Sequence, residues 1–192
     1  MNKFYFSRLE IRDLAISALV ITAIFAYPFI WSPYLPVIFG LYLLFIGLGF
    51  TLHETAHKFM AIHLGAVSEF RMWGKGLAFA LIMRVIGGPI FIAPGATYWA
   101  KRFATVEDNG KVSAAGPVAN IVLALLFLVI ALAVSPLRAL FIMGAEINLY
   151  LALFNLIPFP PLDGSKIMSW SPIIWGGMFG LTLLLRFFIG GL

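Results

Sequence analysis

Residues 36–65 read PVIFGLYLLFIGLGFTLHETAHKFMAIHLG. The first half of this stretch carries no charge, and its length suits a bilayer crossing, which needs about 20 mostly apolar residues. It predicts a membrane helix over about 36–60. Near its end come His53, Glu54 and His57. On a helix, the two histidines lie about 40° apart around the axis and about 6 Å apart along it. Imidazoles so placed can hold one metal ion, with Glu54 beside it as a general base. Such groups at a span end are costly unless they have partners. The motif also takes two of only three histidines in the chain. A metal site is therefore a better reading than a chance match.

The rest of the 192-residue chain is equally apolar: 62% hydrophobic and 11% charged. Soluble domains have roughly 25% charged residues, so lipid is the solvent this chain suits. Four further stretches qualify as spans: 13–31, 113–134, 138–157 and 171–190. The leader MNKFYFSRLEIRD shows no small-residue cleavage site, which predicts a first membrane helix and not a removed signal peptide. There is no cysteine, so disulfides and thiolate metal sites are excluded. The net charge of +5 does not point to nucleic acid. With the N-terminus in the cytoplasm, most basic residues fall inside and only Arg138 and Arg186 outside, as the positive-inside rule expects. This count puts the ends of the second and fourth spans on one membrane side.

The stretch 66–111 differs. It holds six basic residues and short apolar runs, LAFALIM and GGPIFIAPGATYWA, broken by Gly and Pro. Such runs predict strands or a re-entrant segment. The expected fold is therefore mainly α: a polytopic membrane bundle of about five to six spans, with a small β-rich or re-entrant segment between spans two and three. Residues 1–192 are expected to form a single membrane-embedded domain with no appended soluble regulatory domain.

Catalytic zinc usually takes three protein ligands and water. His63 falls where the soluble metzincin pattern places a third histidine, but that pattern needs Gly where this chain has Met60. On a continuous helix, His63 lies about 9 Å beyond His57 along the axis and on another face, so it is rejected. Glu146 sits mid-span, too deep for a motif at the membrane edge, and reads more as structural than functional. Asp163 lies in FNLIPFPPLDGSK, after the fourth span and on the motif's side. Pro158, Pro160 and Pro161 forbid regular helix there, and Gly164 permits a turn. A stiff non-helical return can aim Asp163 inward, so beside the histidine motif a ligand role outweighs a plain loop turn.

The two segments together resemble the site-2 protease family of intramembrane metalloproteases, which pairs H-E-x-x-H with a later N-x-x-P-x-P-x-L-D-G. Asn155 to Gly164 match the second motif throughout. The resemblance implies one zinc ion per chain held by His53, His57 and Asp163, with Glu54 as base. It implies that Asn155 binds substrate backbone or the developing oxyanion. The GPVAN stretch, Gly116 to Asn120, also looks like a family feature, and reads equally as close helix packing with one satisfied Asn. The expected partners are a transmembrane protein or peptide substrate and the lipid bilayer. The expected location is the cell membrane, with the site near the cytoplasmic face, and the oligomeric state is not set by the sequence. An unwound substrate strand is expected to add to a sheet edge within 66–97. Two other classes compete: a metal-ion transporter, whose ligands would be spread over several spans and would not need Glu54, and an inactive zinc-binding scaffold.

Overall fold

The computed structural model describes residues 4–88 and 94–189. Helix α1, Arg8–Ala26, starts at Ser7, whose hydroxyl accepts the Glu10 N–H at 3.1 Å. It starts earlier than the span expected over 13–31, because this cap lies within the charged leader and draws its last residues into the helix. Pro28 follows closely on its end. The motif stretch is continuous helix from Leu35 to His63: α2 (Leu35–Tyr42), a π-helical segment (Leu43–Gly47) and α3 (Leu48–His63). Gly65 ends it with φ +82°. The Gly65 and Ala66 N–H groups donate to Ile62 O and Ala61 O, both at 2.9 Å, satisfying the last carbonyls.

Strands β1 (Val67–Met72) and β2 (Gly95–Ala100) pair antiparallel, with Phe70 opposite Thr97 and Met72 opposite Gly95. Between them runs α4, Gly74–Val85. The LAFALIM run, expected as strand or re-entrant, is therefore helical; its Leu, Ala and Met are strong helix formers. The run containing GATYWA does form a strand, while residues 89–93 lie outside the described residues.

Helix α5 (Val106–Ala133) begins in a reciprocal cap: Asp108 N–H donates to Thr105 Oγ1 and Thr105 N–H donates to Asp108 Oδ2, each at 3.0 Å. It is followed by α6 (Arg138–Asn155), α7 (Asp163–Trp170) and α8 (Pro172–Ile189). Among the described residues, four helices are long and apolar enough to cross a membrane: Leu35–His63, Val106–Ala133, Ser135–Asn155 and Pro172–Ile189. They mark a membrane protein and match four of the five expected spans. The fifth, α1, carries Arg8, Glu10, Arg12 and Asp13 in its first two turns, and is not among them. Phe45, Phe127, Ala145 and Leu149 pack α3's lead-in, α5 and α6 into one core.

Candidate metal centre

Helix α3 presents His53, Glu54 and His57 to the interior, all buried, with donor atoms within 4.8 Å of one another. After α6, the chain turns through Pro158, Pro160 and Pro161 and re-enters helix at Asp163. Asp163 Oδ2 comes to 3.2 Å from the Nε2 atoms of both His53 and His57. Gly164 makes that approach possible: a Cβ there would collide with the Leu156 and Ile157 carbonyls. Burial alone would raise the Asp163 pKa, but His57 and His53 hold it well below the usual carboxylate range. The carboxylate is thus available as an anionic oxygen donor.

The other nitrogen of each imidazole is already committed. His53 Nδ1 lies 2.7 Å from Asn120 Oδ1, and His57 Nδ1 lies 2.7 Å from the Val112 carbonyl. Both partners are acceptors, so each Nδ1 carries a proton and each Nε2 is the nitrogen turned to Asp163 and open to a metal ion. Two imidazole nitrogens and a carboxylate oxygen, converging from two directions and oriented from behind, suit a catalytic zinc ion.

Asn120 donates through Nδ2 to Gly49 O and to Asn148 Oδ1, both at 3.1 Å. Asn148 in turn donates to Gly144 O at 2.9 Å and Phe45 O at 3.3 Å. Both hydrogens of Asn120 Nδ2 are therefore engaged, and its contact with the site is to orient His53. Gly116 lies against both histidine rings, where any Cβ would clash. Its place in GPVAN thus has a steric reason.

Glu54 Oε2 accepts the Thr97 hydroxyl at 2.7 Å, and the same hydroxyl lies 3.2 Å from Glu54 O. Asn155 closes α6 with its Nδ2 donating to Leu151 O at 2.9 Å. It lines the same cavity of about 390 Å³ as His53, Glu54, His57, Asp163, Thr97 and Trp99. His63 lies at the end of α3, stacked on Phe59, outside the cluster. Glu146 lines another cavity of about 270 Å³, together with Arg186. Neither residue joins the site, as the sequence predicts. The sequence reading missed Thr97 and Asn148. A polar side chain on an apolar span was a usable signal for Asn148. Thr97 carries no local signal.

Two named relatives are similar in sequence. One, MJ0611 from Methanocaldococcus jannaschii, is 43% identical over 187 residues, covering 96% of this chain and 95% of its own length. The other, YwhC from Bacillus subtilis, is 32% identical over 163 residues, covering 74% of this chain and 71% of its own. Both carry the provisional name of zinc metalloprotease. The chain belongs to this zinc metalloprotease family. No family model and no solved structure matches it. The relatives' names and the His–Glu–His group together make zinc the cofactor of this metalloprotease.

Proposed function

We propose that the chain is an intramembrane metalloprotease of the site-2 type, cleaving peptide bonds in or near membrane segments of other proteins. The observation that carries this is Asp163 Oδ2 at 3.2 Å from both histidine Nε2 atoms, with Glu54 alongside, on helices long and apolar enough for a bilayer. In this reading His53, His57 and Asp163 hold zinc. Glu54 is left as the base because Asp163, and not Glu54, is the carboxylate that meets both Nε2 atoms. Convergence of the donors on one point argues against a transport path. The reading takes α1 as a fifth embedded helix, with the site near the cytoplasmic face of the cell membrane.

Bound zinc supplies Lewis acidity, making water easier to deprotonate and the scissile carbonyl more electrophilic. Glu54 takes the water proton as the water oxygen bonds to the carbonyl carbon. It then gives the proton to the amide nitrogen as the C–N bond breaks, releasing a carboxylic acid and an amine, which become carboxylate and ammonium by transfer of the remaining water proton. Asn155 keeps one Nδ2 hydrogen on Leu151 O and turns the other to the developing oxyanion.

A helix hides its peptide bonds, so the substrate must be unwound locally. Trp73 N–H donates to Pro94 O at 2.9 Å. Ladder alternation then turns the backbone groups of Thr97 and Trp99 away from β1. Both residues line the catalytic cavity, so the β2 edge suits an added substrate strand. The test is cleavage of a membrane-segment substrate by purified protein, with and without chelator, beside Glu54→Gln. Chelator-insensitive cleavage would sink the reading.

A further inference from the structure

We propose that Glu10 and Asp13 are positioning residues for the catalytic centre: they close the outer edge of β1 and hold the sheet against α3, so that Thr97 meets Glu54. The inference rests on the protease reading above. Ladder alternation that turns Thr97 outward on β2 also turns the Phe70 and Met72 N–H groups outward on β1. An unpaired strand edge invites another chain. Here α1 occupies it. Phe70 N–H donates to Glu10 Oε1 at 3.0 Å, and Met72 N–H donates to Asp13 Oδ2 at 3.3 Å. Both carboxylates are buried. The acids are three residues apart on one helix face and meet β1 residues two apart on one strand edge.

Glu10 reaches further. Its Oε2 pairs with the buried Lys58, the residue after His57, whose ammonium lies 4.6 Å from the Phe6 ring centroid. One carboxylate therefore ties β1 to the motif helix. The cross-strand pair Phe70–Thr97 is held from both sides: Glu10 grips the Phe70 amide, and Thr97 grips the Glu54 carboxylate. Movement of the sheet would move the hydroxyl that orients the base. With the β1 edge closed, the β2 edge beside the histidines is, among the described residues, the sheet edge left for a substrate strand.

Three variants test this in full-length protein. Glu10→Leu with Lys58→Met removes the Phe70 acceptor without stranding a buried charge. Glu10→Gln with Lys58→Met removes the same charges but keeps an amide oxygen for Phe70. Asp13→Leu tests Met72 away from the histidines. The readouts are zinc content, exchange of the Phe70 and Met72 amides, and kcat and KM on a membrane-segment peptide.

The Leu/Met pair should keep zinc, exchange the Phe70 amide at least about tenfold faster and lose about tenfold or more in kcat. The Gln/Met pair keeps the Phe70 acceptor but not the tie to Lys58, so it should hold Phe70 exchange close to that of the unmodified protein and lose clearly less kcat than the Leu/Met pair. Asp13→Leu should speed Met72 exchange and lower kcat. Unchanged exchange, unchanged kcat, or equal kcat losses in both double variants would overturn the proposal. If the Leu/Met pair does not fold, Asp13→Leu decides in its place. Lack of cleavage by the unmodified protein would count against the protease reading alone, since amide exchange still reports the edge contacts.

Discussion

The Thr97 hydroxyl donates to Glu54 Oε2 at 2.7 Å, joining the sheet to the motif helix. This contact fixes one carboxylate oxygen; in the proposed mechanism the other takes the water proton. Thr97→Val keeps the shape and removes the donor. A lost hydrogen bond to a charged group is worth about 1.5–3 kcal/mol, so kcat should fall about 10- to 100-fold. Zinc content, measured on the same sample, should not change.

Glu54→Gln should retain zinc and lose cleavage by at least about 10²–10⁴-fold, the range for general-base catalysis. The check is zinc stoichiometry beside turnover of a membrane-segment substrate. Full activity would remove Glu54 from the mechanism.

Asn120 orients His53 from behind. Asn120→Ala should weaken zinc binding about 10- to 100-fold, as loss of such supporting partners does. Competition with a chromogenic chelator measures it. An unchanged affinity would show that His53 is held by packing alone.

Gly164→Ala forces a methyl group onto the Leu156 and Ile157 carbonyls. The collision is with backbone, so α7 must shift and take Asp163 with it. The expected cost is about 1–3 kcal/mol of stability. A lower Tm with weakened zinc retention is the predicted pair of readouts.

Removing zinc with a chelator should abolish cleavage, and added zinc should restore it. Two imidazole Nε2 atoms each lie 3.2 Å from Asp163 Oδ2. Metal-free protein should therefore be less stable against heat than the zinc-loaded form, by linkage.

Much of the site was legible because it is local. The four-residue spacing of His53 and His57 places both on one face of any helix. Met60 in place of Gly, and the same helical geometry, exclude His63. The proline-bearing return marks the break after α6, although Asp163 itself opens helix α7 where non-helical chain was expected; mean hydropathy of +1.01 makes lipid the solvent. The LAFALIM run was misread because short apolar runs do not separate strand from helix by pattern alone.

What the sequence determined by itself was therefore the motif helix, three further apolar helices and the candidate donors. Tertiary structure alone decided that Asp163 bridges both imidazoles, that Asn120 and the Val112 carbonyl set their tautomers, and that Thr97 reaches Glu54. These contacts join residues 43 to 110 positions apart, and only helix packing and strand register bring them together. Local periodicity carries no record of such distances. Gly116 lets α5 close on both histidine rings, and Gly164 lets α7 start against the Leu156 and Ile157 carbonyls.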